Sequence, residues 1–82
     1  MYHTIHEPIS VVGIYEHGQF RPVKFKWKQR VYQIEELCSR HDFRDGSIPK
    51  RRFSVTVSGT TYLLEFDRHQ ETWHLEQVWL PN

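Results

Sequence analysis

The chain has 82 residues, enough for one domain with one modest core, and this length excludes a second folding unit of ordinary size. Hydrophobic residues make up 38% and aromatic residues 15% of the sequence, and their regular patterning excludes a disordered chain. The formal net charge is only +1, so the overall charge indicates neither an anionic nor a cationic partner.

The cysteine content and the N-terminus bear on the cellular compartment. Cys38 is the only cysteine, so no internal disulfide can form and there is no cysteine framework for zinc. A lone thiol is typical of a reducing compartment. Residues 1–8 lack the basic lead and apolar core of a secretory signal, and no apolar run approaches the about 20 residues that span a bilayer. We expect a cytoplasmic protein without membrane contact.

The predicted organisation is a flexible tail over residues 1–8 and a single small β domain over residues 9–82. The first part of the domain is rich in β-branched and aromatic side chains, interrupted by turn residues at His17-Gly18 and by a tight connection at Lys28-Gln29. These signals predict three strands, over residues 9–15, 20–27 and 30–35.

The middle of the chain is less regular. Ile34, Leu37, Cys38 and His41 fall at helical spacing, which predicts a short helical turn near Glu36 after the third strand. Residues 41–49 are polar and contain Asp-Gly and Pro, and this composition predicts a loop.

The last third has the clearest alternation of apolar and polar residues. It predicts strands around residues 53–57, 62–66 and 73–80, joined by tight turns. About six short antiparallel strands favour an all-β meander that curls into a small barrel or half-barrel, because a flat sheet would leave its edges exposed. The predicted core consists of Ile9, Val11, Phe25, Trp27, Tyr32, Ile34, Phe53, Val55, Val57, Tyr62, Leu64, Phe66, Trp73 and Leu75.

A basic face is the main functional signal. Side chains alternate between the two faces of a strand, so lysines two residues apart project together and apolar residues between them project to the opposite side. Such a strip can contact the phosphates of a nucleic acid. Lysines on exposed strands also solvate the surface and oppose aggregation, and this second explanation stays open. The predicted nucleic-acid-binding residues are Lys24, Lys26, Lys28, Arg30, Lys50, Arg51 and Arg52.

Catalytic and metal-binding patterns are weak. Cys38, His41 and Asp42 are close in sequence, but a nucleophile, base and orienting group must converge in a pocket, so we expect a partly buried, inert thiol. The histidines have no recognised metal-ligand spacing, and no glycine-rich phosphate loop is present. We expect no enzymatic activity, no metal, no cofactor and no small-molecule substrate.

Five short motifs stand out along the chain: Glu7-Pro8-Ile9-x-Val11, Pro22-x-x-Phe25-x-Trp27-x-x-Arg30-x-Tyr32-x-Ile34-x-Glu36, Arg52-Phe53-x-Val55, Tyr62-x-Leu64-x-Phe66-Asp67 and Trp73-x-Leu75-x-x-Val78. Together they resemble a small uncharacterised bacterial family of unknown function, found mainly in actinobacteria and their relatives. The resemblance implies a similar fold and a DNA-repair context, since some members accompany or are fused to Y-family polymerase-like repair proteins. It implies no catalytic residue. The present chain differs in its short 41–49 segment and its richer lysine content over 24–28.

Two main functions follow as hypotheses, and a small hydrolase-like enzyme built around Cys38 is a third that the sequence supports least. The first is a non-catalytic accessory module that binds nucleic acid or docks onto a DNA-repair enzyme. The alternative is a protein-interaction module that uses an exposed strand edge and makes no nucleic-acid contact.

Overall fold

The computed structural model describes residues 1–81, and within that range all regular structure is β. Eight antiparallel strands form two open sheets, a five-stranded sheet in the order β1-β8-β7-β6-β5 and a three-stranded sheet in the order β2-β3-β4. No helix in this range is long and apolar enough to cross a membrane. The strands are β1 (Tyr2–Pro8), β2 (Ser10–Glu16), β3 (Gln19–Trp27), β4 (Arg30–Gln33), β5 (Glu36–Asp45), β6 (Ile48–Val57), β7 (Thr60–Asp67) and β8 (Thr72–Trp79).

The all-β prediction is confirmed. The predicted six strands and small barrel or half-barrel are not confirmed, since the structure has eight strands in two open sheets. The predicted flexible tail over 1–8 is instead strand β1, which pairs with β8 from Tyr2 opposite Trp79 to Pro8 opposite His74. Ladder hydrogen bonds are made by the backbone, so a polar segment can join a sheet at its edge without contributing an apolar face.

Strand β5, like β1, is not predicted by the sequence pattern. The predicted helical turn near Glu36 and the predicted loop over 41–49 are both wrong, because β5 runs from Glu36 to Asp45 and pairs along its length with β6. Only Gly46 and Ser47 connect the two strands. A glycine with a φ of 64° in the first position of this two-residue connection gives the hairpin the turn geometry that suits twisted strands.

The tight turns predicted at His17-Gly18 and Lys28-Gln29 are confirmed, and Ser58-Gly59 forms a third turn of the same kind between β6 and β7. Each has two consecutive residues with positive φ, the signature of the type I′ turn whose twist matches that of the flanking strands. The residues are His17 and Gly18 (53° and 77°), Lys28 and Gln29 (50° and 67°), and Ser58 and Gly59 (50° and 79°).

Aromatic and aliphatic side chains from the inner faces of both sheets form the core. Phe25 from the small sheet and Phe53 from the large sheet are each only 1% exposed. Every residue of the predicted core either belongs to this cluster or packs against it. The sequence pattern missed Ile5, Phe20, Leu37 and Val78, which also contribute.

The strand faces lead to a stability prediction. Phe53 contacts the rings of Phe20 and Trp73 at centroid distances of 6.4 and 5.5 Å, and removal of a buried phenylalanine side chain costs about 3–5 kcal/mol. This is a large part of the about 5–15 kcal/mol that stabilises a small domain. We expect Phe53→Ala to lose most of its cooperative thermal transition, followed by circular dichroism.

The matched control is Lys26→Ala, since Lys26 is exposed on the outer face of the small sheet. Its free energy of unfolding should change by less than about 0.5 kcal/mol. A sharp transition near the parent melting temperature in Phe53→Ala would contradict the assignment of the inner face.

Candidate functional site

The basic residues that the sequence predicts as one phosphate-binding site lie on separate surfaces. Lys24 and Lys26 project from the outer face of the three-stranded sheet, opposite the buried Phe25. Arg30 is directly opposite Trp27 in the register and therefore shares its side of the sheet. Lys28 lies in the turn, with its ammonium 5.0 Å from the centroid of the Trp27 ring and 3.9 Å from a Glu7 carboxylate oxygen.

Lys50 and Arg52 project from the outward face of the five-stranded sheet, where a buried carboxylate holds both. Glu65 is 4% exposed, and its two oxygens accept hydrogen bonds from Lys50 Nζ at 3.2 Å and Arg52 Nε at 2.9 Å. Hydrogen bonds to Asp45 and to Glu65 raise the pKa of Lys50. The Arg52 guanidinium also lies 4.7 Å from the Phe43 ring centroid. These two cations are neutralised within the protein.

Arg51 projects to the opposite side of the same strand and pairs with Asp42. Arg51 Nε lies 2.5 Å and Nη2 2.9 Å from the two carboxylate oxygens. The hydrogen bond from Arg51 lowers the pKa of Asp42, and Arg68, whose Nη1 is 3.7 Å from the same carboxylate, adds to the effect. Arg51 is thus also committed to a carboxylate of its own chain.

The outer face of the three-stranded sheet retains unpaired lysines beside exposed aliphatic side chains. Among residues 1–81, no carboxylate forms an ion pair with Lys24 or Lys26. Lys24 is opposite Val12 and Lys26 is opposite Val31 in the strand register. The fractional exposures are 54% for Val12, 52% for Val31 and 42% for Ile14. We call these five residues the basic–apolar face.

The residues considered for catalysis point in different directions. A register shift between Leu37 and Ser39 places Cys38 in a bulge of β5, where it is exposed rather than partly buried as predicted. His41 is opposite Arg52 on the outward face, and Asp42 is opposite Arg51 on the inner face. Among the described residues 1–81, no group of three or more His, Cys, Asp or Glu side chains is arranged to hold a metal ion.

A cleft between the two sheets is the feature that sequence reasoning missed. It has a volume of about 780 Å³ and opens beside the β2–β3 turn. Its residues come from six strands and two turns, so no local sequence motif indicates it. The high aromatic content is the only signal in the sequence that bears on it. The aromatic side chains that line it are Tyr15, Phe20, Phe53, Phe66 and Trp73.

Charged side chains also line this cleft, and Arg40 forms no salt bridge among residues 1–81, although its charge acts on Asp42 and helps to lower the pKa of that carboxyl. Arg40 Nη2 donates to the backbone carbonyl of Phe20, and its guanidinium lies 5.4 Å from the Phe53 ring centroid. Its Nε is buried and has no hydrogen-bond acceptor among residues 1–81. Asp42 and Glu71 contribute carboxylates to the lining, and Asp42 is held by Arg51.

Comparison with known proteins gives a partial match. The chain is 38% identical over 53 residues to autophagy-related protein 18 of Phaeosphaeria nodorum. The match covers 65% of this chain but only 13% of the fungal protein, so the chain spans about an eighth of the length of that relative. No protein-family model matches the chain, and no solved structure matches it significantly. A match of this extent does not define a family.

The Arg51–Asp42 pair leads to a prediction about acid stability. Asp42 has a lowered pKa in the folded protein, so its contribution is complete above the ordinary value of 3.8 and is lost as the pH falls through the folded value. We expect nuclear magnetic resonance to show the Asp42 carboxyl titrating below 3.8. The variant Arg51→Gln should move that midpoint upward, and an unchanged midpoint would contradict the assigned pair.

The exposure of Cys38 reverses an expectation from sequence. A thiol in water reacts with alkylating agents without prior unfolding, whereas a buried thiol is protected. We expect iodoacetamide to modify Cys38 stoichiometrically in the native protein, at a rate close to that in denaturant. Cys38→Ser should change the free energy of unfolding by less than about 0.5 kcal/mol. Protection of the thiol until the protein unfolds would show that the bulge of β5 turns inward.

Proposed function

We propose that the protein is a non-catalytic accessory module that docks onto an acidic and partly apolar surface of a partner protein through the basic–apolar face. One observation carries this proposal: Lys24 and Lys26 have no carboxylate partner among residues 1–81 and stand beside the exposed Val12, Ile14 and Val31. Aliphatic side chains fill the centre of protein interfaces, and complementary charges steer and orient the partners.

A protein partner accounts for this surface better than a nucleic acid does. Lys50, Arg51 and Arg52 hydrogen bond with carboxylates of the chain. Lys28 pairs with Glu7, so three of the seven predicted cations form no ion pair among residues 1–81: Lys24, Lys26 and Arg30. Three phosphate contacts give a salt dependence with a slope of only about −2 to −3, which corresponds to weak binding. The exposed aliphatic side chains add nothing to phosphate recognition.

A sheet face also accounts for docking better than a strand edge does. The edge strands β1 and β5 of the large sheet each contain a register shift, between Thr4 and Glu7 and between Leu37 and Ser39. Bulges interrupt the row of backbone groups that an added strand would pair with, and they protect natural edges. In the small sheet, the edge strand β4 has only four residues.

The resemblance to a bacterial family that accompanies repair proteins suggests the kind of partner. We propose a cytoplasmic nucleic-acid enzyme, of the Y-family polymerase-like class, that presents glutamate or aspartate beside apolar groups. The absence of enzymatic activity is part of the same proposal, and it is supported by the divergence of Cys38, His41 and Asp42.

The test uses a short amphipathic peptide whose polar side chains are glutamates, with a lysine version of the same peptide as control. Titration at low salt, followed by nuclear magnetic resonance, should shift the resonances of Val12, Ile14 and Val31 with the glutamate peptide alone. The double variant Lys24→Glu/Lys26→Glu should weaken binding by about tenfold, since two exposed charge pairs are worth up to about 1 kcal/mol each. Equal binding of both peptides would overturn the proposal.

The control for charge is Arg44→Glu/Arg68→Glu, which reverses the same number of charges outside the basic–apolar face. This variant should bind the glutamate peptide as the parent does. A parallel titration with labelled single- and double-stranded DNA tests the second candidate function. DNA binding that weakens with Lys24→Glu/Lys26→Glu, in the absence of peptide binding, would replace protein docking by nucleic-acid binding.

A further inference from the structure

We infer that the cleft between the sheets binds a flat aromatic group that carries a single carboxylate, with Arg40 holding the anion. This site is distinct from the basic–apolar face, which lies on the opposite side of the small sheet. It also revises the sequence-based expectation that no small molecule binds.

The cleft exists because the small sheet is narrower at one end. Strand β4 pairs with β3 only from Lys24 to Trp27, so residues 19–22 of β3 have β2 as their single neighbour. At that end the inner face of the large sheet is not fully covered, and Phe66 and Trp73 remain partly exposed. The resulting volume of about 780 Å³ lies within the range of about 300–1,000 Å³ that is typical of ligand pockets.

The walls of the cleft suit a flat ring. Trp73 is central, with centroid distances of 4.8 Å to Phe66, 5.5 Å to Phe53 and 5.8 Å to Phe20. Tyr15 is 80% exposed at the mouth and meets the edge of Phe20 at 5.5 Å. Aromatic rings prefer offset-stacked and edge-to-face neighbours, so another ring entering here finds several faces and edges to contact.

The charged side chains that line the cleft determine which polar group the ligand carries. Arg51 hydrogen bonds to both carboxylate oxygens of Asp42. Arg40 interacts with Asp42 through charge alone, hydrogen bonds only to a backbone carbonyl, and has a buried Nε without an acceptor among residues 1–81. A charged donor without an acceptor is costly, and a carboxylate supplies acceptors in the geometry that a guanidinium fork prefers. The carboxylates of Asp42 and Glu71 also line the cleft and would repel a polyanion. A single negative charge is therefore favoured over a phosphate group.

Two sources can present this chemistry, a free aromatic acid and the C-terminal carboxylate of a peptide that ends in an aromatic residue. The probes are 1-naphthoate with 1-naphthalenemethanol as its neutral match, and an acetylated tetrapeptide ending in phenylalanine with its C-terminal amide as the neutral match. Each is titrated by calorimetry, and resonance shifts locate the site. Tighter binding of the tetrapeptide than of naphthoate identifies a chain end as the ligand, and the reverse identifies a free acid.

We expect each acid to bind the unmodified protein at least about tenfold more tightly than its neutral match, with shifts at Phe20 and Trp73. Arg40→Gln should weaken binding of the acid by about 10- to 100-fold and leave the neutral match unaffected. Arg44→Gln is the control, since Arg44 lies on the same strand outside the cleft. The variant Lys24→Glu/Lys26→Glu should bind the acids with the affinity of the unmodified protein. A failure of the cleft inference can then be distinguished from a failure of docking through the basic–apolar face.

Equal affinity for acid and neutral match, shifts confined to other parts of the protein, or no binding at millimolar concentration would overturn the inference. Arg40 also bonds to Phe20, so thermal melts must show that Arg40→Gln folds. The comparison of acid with neutral match in the unmodified protein tests the charge preference whether or not that variant folds.

Discussion

Ring contacts between the two sheets are the interaction on which the rest of this structure depends. Phe25 of the small sheet meets Tyr62 of the large sheet at 5.3 Å, and Phe20 meets Trp73 at 5.8 Å. A chain of this size buries only about 60% of its unfolded surface, so a few large side chains must supply most of the apolar burial. Because the inner faces pack against each other, the outer face of each sheet is left to make polar interactions with solvent or to contact a partner.

The sequence predicts those strands in which buried and solvent-exposed side chains alternate. Strict alternation in segments such as Phe53–Ser54–Val55 fixes which side faces inward, and this explains why the predicted core agrees with the structure. Strands β1 and β5 are edge strands with few buried side chains, and their sequences have no alternation to detect. Their place in the sheet depends on backbone pairing with β8 and β6, which leaves little trace in composition.

The candidate site shows a similar limit. Period-two spacing correctly puts Lys24 and Lys26 on one face, because that is a local property of a strand. Whether a cationic side chain is free to bind a partner depends on whether the fold places a carboxylate next to it. That placement depends on residues distant in sequence, so the local pattern does not predict it. Arg52 meets Glu65 and Arg51 meets Asp42 only because of the registers of β6 with β7 and of β5 with β6. Adjacent cations on β6 consequently have different partners on opposite faces.

The unequal widths of the sheets connect the fold to the proposed cleft. Strand β4 covers only the end of β3 that packs against Tyr62, where Phe25 and Tyr32 stack at 4.9 Å and close the core. At the other end β3 has no partner on that side, and the Arg40 side chain bonds to the Phe20 carbonyl in place of a strand. A longer β4 would pair with β3 at that position, and the Arg40 guanidinium supplies a hydrogen bond there instead. Because β4 is short, aromatic side chains and a guanidinium remain uncovered, and this accounts for the cleft.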